Sequence, residues 1–355
     1  ESNGWKTQAN ARIAQLRTRP CRVVVTDVAG SPVASAAISI DQVNHDFAFG
    51  TAITHTQLNN PHYTQLLTRW FEWGVPEYEC KWHYTQPAPS PESFTDCDAI
   101  VQFANANGIR MRGHNVFWEV AQFCPPWLTS LPMPALQSAM LSHMQTIIPR
   151  YASTFRHWDI NNEMIHGDFF SSRLGESIWP WMYQQSRQLD PDCKLFVNDY
   201  NNIDGTQTQP FHSQIASLLA AGAPIDGIGL QGHFIDRISA QRVQLHLDAF
   251  ASFNLPIWIT EFDCVNEEAA DRAENLENLY RMAFSHPAVE GIIMWGFWAG
   301  AHWRGSDGAL VERDWSINAA GQRYQSLLNE WTTHLEGTLA ASGEYAFNGY
   351  HGEYD

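Results

Sequence analysis

The sequence predicts an α/β fold, a single (β/α)8 TIM barrel. Three observations carry that expectation. Eight short β-rich runs recur along the chain, helical stretches fall between them, and no linker, low-complexity tract or short repeat divides the 355 residues. Roughly 150 residues per domain would suggest two domains, but α/β barrels run from about 200 to over 400 residues as one unit. At 44% hydrophobic and 17% charged, the chain has ample apolar material for a full core. Global disorder is excluded.

In chain order the strand candidates are Phe47–Thr51, Trp73–Glu79, Ile109–Asn115, His157–Asn162, Leu195–Asp199, Gly227–Gln231, Ile257–Glu261 and Gly291–Gly296. Helices are expected in the intervals. One, from about Met133 to Tyr151, places Leu136, Met140, Met144 and Ile147 at three-to-four spacing. Another, from about Glu267 to His286, puts Leu276, Leu279 and Ala283 on one stripe, with acids in its first turn and Pro287 as its stop. The ends lie outside this alternation. Residues 21–41 alternate apolar and polar around Gly30-Ser31-Pro32, the pattern of a β-hairpin. Residues 343–355 look strand-like, with Tyr345, Phe347 and Tyr354 available for packing. The expected plan is an N-terminal helix and hairpin extension (1–45), a barrel (46–336) and a C-terminal extension (337–355) that joins the hairpin in a small side sheet.

Composition narrows the function. Lys and Arg number 21 against 38 Asp and Glu, a net charge of −17, which repels phosphate backbones and anionic membrane faces. No apolar run approaches the roughly 18 residues of a membrane span. Neither nucleic acid nor membrane is an expected partner. The six cysteines (Cys21, Cys80, Cys97, Cys124, Cys193, Cys264) contain no C-x-x-C pair, and the 15 pairings open to six cysteines stay undecided. No metal or other cofactor is expected: near the first strand FAFGTAITH offers only His55 as a ligand. The chain begins at Glu1 and has no Asn-x-Ser/Thr sequon. A start without Met is what a removed signal peptide would leave, so secretion is an expectation, as is a monomer. The 15 Trp, 19 Phe and 11 Tyr fit a protein that stacks on sugar rings, although about half belong to any aromatic-rich core.

Catalytic side chains of an α/β barrel project from the carboxyl ends of its strands. Those ends carry Glu79 and Lys81, then Arg112, His114 and Trp118, then Asp159, Asn162 and Glu163. Asn198 and Asp199, Gln231 and His233, Glu261 and Asp263, and Trp295 complete the ring. Two carboxylates occupy matching places: Glu163 closes WDINNE and Glu261 closes PIWITE. Cleaving a glycoside needs a proton on the leaving oxygen and negative charge under a developing oxocarbenium ion. One carboxyl must therefore stay protonated, and the other must stay ionised among donors. A lone Glu at a strand end is more often a rim ion pair. Two of them, each beside Trp, His or Asn, reverse that expectation.

The segments RGHNVFWE (112–119), HWDINNEMIHGDFF (157–170), LFVNDYN (195–201), DGIGLQGHF (226–234), LPIWITEFD (255–263) and MWGFWAGAHW (294–303) then stand in one order. In that order the sequence resembles glycoside hydrolase family 10, the endo-β-1,4-xylanase family, especially its plant and animal branch. The resemblance runs from about Phe47 to the Leu335 region, and the N-terminal segment is similar to an extension of that branch. It implies a retaining endo-β-1,4-xylanase with Glu163 as general acid/base and Glu261 as nucleophile. His233 is implied as partner of the nucleophile and Asn162 as partner of the sugar 2-hydroxyl. Lys81, His114, Trp118 and Gln231 map to the glycone side, Glu77 and Tyr78 to its distal end. Trp295 and Trp303 would form an aromatic floor and wall, with Asn198 and Tyr200 near the aglycone. Two departures stand out. Tyr78 replaces an Asn of the family's Glu-Asn-x-x-Lys run, and the family's WHSQ segment reads Trp118-Glu119-Val120-Ala121, with the plant-like Gln at Cys124. Both bear on the distal sugar more than on catalysis. The alternatives are a retaining endo-glycosidase on cellulose or mixed-linkage glucan, and a non-catalytic carbohydrate-binding barrel, which would usually lack one of the acids.

Overall fold

A computed structural model describes residues 4–355. After the N-terminal helix Gly4–Arg17 come β1 (Thr18–Val24) and β2 (Ala37–His45). The barrel strands follow as β3 (Ala48–Ile53), β4 (Trp73–Pro76), β5 (Arg110–Trp118), β6 (Phe155–Asn162), β7 (Lys194–Asp199), β8 (Gly227–Phe234), β9 (Ile257–Cys264) and β10 (Val289–Met294). The chain ends with β11 (His334–Thr338), β12 (Glu344–Tyr350) and β13 (Gly352–Tyr354). Strands β3 to β10 close on themselves, each parallel to its neighbours. Their apolar runs are buried on both faces, which is why they read as continuous hydrophobic stretches.

The boundaries differ where the mouth is polar. The run Trp73–Glu79 is strand only to Pro76, because Glu77–Lys81 turns and closes with Lys81 N–H on Tyr78 O at 2.9 Å. Strands β5, β8 and β9 run past their predicted ends, since the polar side chains of the mouth themselves sit on paired backbone. Trp118 is opposite Asn162 in register, and His233 opposite Asp263. The helix Met133–Arg150 buries the expected Leu136, Met140, Met144 and Ile147. The helix Ala269–Phe284 differs: it is buried far beyond one stripe, with the N-terminal helix and the helix Ala319–Glu330 packed against it. Arg17 secures this assembly by donating to the carbonyls of Phe284, His286 and Val289 at 2.8, 2.8 and 2.7 Å.

The expected hairpin over 21–41 does not form. Strand β1 pairs along its length with β12, from Thr18 opposite Tyr350 to Val24 opposite Glu344. Strand β2 lies between β11 and β13. Only an isolated Thr26–Pro32 bridge joins the two arms of the turn, with Gly30 at φ 84°. Seven register pairs with β12 outcompete one bridge, so the single side sheet becomes two small ones, both linking the N-terminal and C-terminal segments.

Inside the barrel Ala48, Trp73, Val75, Phe196, Trp258, Ile293 and Trp295 form a cluster separate from the larger core under the helices. Trp73, Phe196 and Trp258 surround His157. Above them the Arg112 guanidinium lies over Phe196 and Trp258. An apolar plug thus floors a polar mouth.

Candidate active site

The lowest polar layer is a buried ion pair. Arg112 and Asp159 are both fully buried and share two hydrogen bonds of 3.0 and 2.7 Å. Charges that deep are tolerated only when paired and hydrogen-bonded. Asp159 also accepts the Nδ1 proton of His114 at 2.8 Å, which aims His114 Nε2 at Glu261, 3.7 Å from Oε1. Arg112 and His114, two positions apart on β5, thus both lean on Asp159 across on β6, and the layer builds upward to the mouth.

Glu261 ends the apolar part of β9 and is 5% exposed. Asn198 Nδ2 donates to its Oε1 at 3.0 Å, and His233 Nε2 contacts its Oε2 at 3.1 Å. Behind His233 stands Asp263, 2.9 Å from Nδ1, which in turn accepts from Trp303 Nε1 at 2.7 Å and Arg304 at 2.8 Å. Burial alone would push Glu261 up. His114, the His233 hydrogen bond and charge, and Lys81 outweigh it and hold the carboxyl down at about 2. Burial would likewise lower His233, yet Asp263 and Glu261 raise it to about 10.

Glu163 has the opposite surroundings. It follows β6 with φ at +61°, a left-handed conformation rare for a glutamate. Trp118 Nε1 donates to Oε2 at 2.8 Å and Gln231 Nε2 to Oε1 at 3.2 Å. Burial raises its pKa first, the charges of Asp199 and Glu261 add to that, and the two donors offset only part, leaving it at about 7. The two glutamates are joined by one chain of amides. Gln231 Nε2 also reaches Asn162 Oδ1 at 3.3 Å, and that oxygen accepts from Asn198 Nδ2 at 2.9 Å. Asn162 Nδ2 is buried and has no partner among the described residues. A buried donor left unpartnered is uncommon.

The cleft over these groups has a volume of about 700 Å³. Most of the residues singled out from sequence line it. Glu163, Glu261, Asn162, His233, His114 and Gln231 form its floor, and Tyr78, Lys81, Trp118, Trp295, Tyr200 and Trp303 its sides. The Lys81 ammonium is ringed by aromatics, 4.5 Å from Tyr78, 4.7 Å from Trp118 and 6.0 Å from Trp295. Burial lowers its pKa, against the pull of Glu261 and Glu77. Glu77 and Asn198 do not line the cleft. Glu77 is buried behind Lys81, where burial raises it to about 7. Asn198 lies beneath the floor because its amide is already engaged by Glu261, Asn162 and Thr260.

Several residues on or under the cleft had no role assigned from sequence. Phe123 lines it, stacked on Trp118 at 3.9 Å. It comes from a loop with no strand period, in the stretch where the WHSQ pattern is lost. Glu119, the first residue of that departure, is fully buried and accepts from Asn161 Nδ2, Phe170 N and Ser171 N at 2.8, 3.1 and 2.8 Å. It pins the loop after Glu163. His166 lies within a quoted motif but had no role assigned. Lys81 is placed by a disulfide that sequence could not choose: Cys80 is bonded to Cys97 in the helix Thr95–Ala106. The other four cysteines are free. Among the described residues no group of three or more His, Cys, Asp or Glu could hold a metal ion.

A family model described as glycosyl hydrolase family 10 matches residues 39–323. Among curated proteins, the anti-sigma-I factor RsgI6 of Acetivibrio thermocellus is 43% identical over 351 residues, covering 99% of this chain and 46% of that protein. Endo-1,4-beta-xylanase 1 of Arabidopsis thaliana is 34% identical over 344 residues, covering 96% of this chain and 36% of that protein. The chain thus spans less than half the length of either. Among solved structures, xylanase 10B from Thermotoga petrophila in complex with xylobiose superposes with a TM-score of 0.74 at 23% identity, over 80% of this chain and 94% of that one. That likeness establishes the fold.

Proposed function

Because the chain belongs to glycosyl hydrolase family 10, we propose that it is a retaining endo-β-1,4-xylanase acting on internal bonds of xylan. The observation that carries this reading is the split between two carboxyls in one cleft, Glu163 held up at about 7 and Glu261 down at about 2. Near neutral pH Glu163 carries a proton for the leaving oxygen while Glu261 is an anion. Glu261 attacks the anomeric carbon as the glycosidic bond breaks, and Glu163 protonates the departing sugar. Water then enters. Glu163, now a carboxylate, takes its proton as the oxygen attacks the same carbon and releases Glu261. Asn162, with its unspent donor, holds the 2-hydroxyl, and His233 keeps Glu261 oriented and ionised. The aromatic sides suit pyranose faces.

Xylan is supported by the Arabidopsis relatives, which are named endo-1,4-beta-xylanases. A xylose unit lacks the 6-hydroxymethyl group, so Trp303 acts as a steric wall against glucose. Since the substrate is a large polymer, we place the protein outside the cell, working as a monomer. Rates measured side by side on xylan and soluble cellulose test this reading: xylan is hydrolysed faster, and equal rates contradict the specificity. A second reading draws on the anti-sigma-I factor, similar over nearly the whole chain. In it the barrel is the polysaccharide-recognising part of a longer regulatory protein. Xylan binding with no release of reducing ends would favour it, while the presence of both acids in opposite states favours turnover.

A further inference from the structure

Glu163 must hold an unfavourable backbone conformation and a proton at once, and both requirements lead to the same neighbour. A non-glycine residue at φ +61° costs about 1–3 kcal/mol and persists only where its surroundings over-determine it. The Glu163 N–H donates to Asn198 O at 2.9 Å, and its carbonyl accepts from His166 N at 3.1 Å. The next residue along the chain from Asn198 is Asp199, fully buried at the end of β7. Asp199 Oδ2 accepts the Ile165 N–H at 2.9 Å, two residues past Glu163. Asp199 Oδ1 accepts Tyr200 N at 2.9 Å and His166 Nδ1 at 2.6 Å. The His166 ring lies flat on Tyr200, centroids 3.6 Å apart, and Tyr200 lines the cleft. His166 Nε2 is buried with no partner among the described residues.

We propose that Asp199, held by His166, is a positioning residue for Glu163. It clamps the turn that carries the acid and brings a second buried carboxyl to that turn. This deepens the proposed function and rests on it for the role of Glu163, while the clamp on its turn stands on the hydrogen bonds of Asp199 and Asn198.

The charged and titratable groups around Glu163 are few and come from separate elements. They are Asp199 on β7, Tyr200 just after it, Glu261 on β9 and Lys81 after β4. Trp118 on β5 and Gln231 on β8 contribute neutral donors. Asp199 itself is faced by His166 and by the buried Tyr183 of the helix Ile178–Leu189. Burial raises the Asp199 carboxyl above its ordinary range, and His166 with the two backbone amides offsets only part of that. Among these groups Asp199 is the largest charge acting to keep the proton on Glu163, ahead of Glu261. The nucleophile's charge disappears once it is glycosylated. Asp199 is not consumed in the cycle, so its contribution persists through both steps.

The test reads Glu163 directly and needs no turnover. Carboxyl-labelled glutamate in the whole chain is followed by carbon-13 NMR against pH, with the Glu163 resonance assigned from Glu163→Gln. The midpoint is expected at about 7 in the wild type. Asp199→Asn keeps the shape and removes the charge, and should lower that midpoint by about half to one pH unit. The alkaline limb of kcat/KM on xylan should move by the same amount, which a merely structural role would not do. His166→Ala is the second variant, in case a buried amide is poorly accommodated. It strips the side-chain donor from Asp199 and must also displace the midpoint. Midpoints coincident with the wild type in both variants overturn the proposal. A wild type that hydrolyses no xylan would instead overturn the functional reading, and the NMR midpoints would still decide the coupling.

Discussion

Glu163 and Glu261 are chemically identical, and their different states come from distinct neighbours. Glu163 meets two neutral donors and two like charges, Glu261 meets two histidines and a lysine. The proposed reaction requires Glu163 protonated and Glu261 ionised. The profile of kcat/KM should therefore fall above about 7, hold on the acid side, and be lost only as Glu261 is protonated toward about 2. Initial rates across the pH range check this, and an alkaline limb at an ordinary carboxylate value near 4.5 would contradict it. The same shifts act on stability with opposite signs. Glu163 is raised from 4.5 to about 7, so the folded state holds a proton that the unfolded chain has already lost, and stability declines as pH rises through that interval. Glu261 is lowered from 4.5 to about 2, so it contributes stability above 4.5 that is lost as pH falls toward 2. At about pH 8, Glu163→Gln should stabilise the fold by about 1–3 kcal/mol and Glu261→Gln should destabilise it by a similar amount. Thermal unfolding at about pH 8 and about pH 4 checks both signs, since the Glu163→Gln gain should vanish at the lower pH. At this scale the two acids, His233, Trp118 and Trp295 were legible as residues at the ends of apolar strands, whereas Tyr78, Tyr200 and Trp303 came only with the family resemblance. Phe123 was not, since the short turn after β5 has no strand period from which to read direction, and Glu119 was seen only as a departure from the family pattern.

The turn Glu77–Lys81 shows how elements, more than residues, set the glycone side. It follows the shortest barrel strand, and the Cys80–Cys97 disulfide fastens it to the helix Thr95–Ala106. The bond closes a loop with a sequence separation of 17, and a loop of that size is worth about 3 kcal/mol in chain entropy. Replacing both cysteines by serine should lower stability by about that amount. It should also raise KM with a smaller effect on kcat, because Lys81 is the next residue and the chemistry lies on other strands. A change in kcat alone would contradict the assignment. All eight barrel strands were legible as apolar runs. Their ends were less so, because β5, β8 and β9 continue as paired strand through the polar residues of the mouth. The N-terminal strands were misread for a different reason. Local alternation identified them as strands, but the partners of β1 and β2 lie some 300 residues away, in segments that local pattern cannot rank against an adjacent turn.

For the whole molecule, closure of the barrel is what brings β6 and β9 to opposite sides of one cleft. Two strands, β7 and β8, separate them around the shorter arc, yet Gln231, Asn162 and Asn198 connect their glutamates through side chains alone. The fold class was legible because alternation along the chain is a global property. The pairing of the two terminal segments into straps was legible only in outline. The account as a whole requires these carboxyls to act on one anomeric carbon in two successive displacements. Proton NMR of xylan hydrolysed in heavy water, read before mutarotation, tests that most directly. The newly released reducing ends should appear first as the β anomer, with α growing in later. An initial α product would mean a single displacement by water and would contradict the roles given to Glu163 and Glu261.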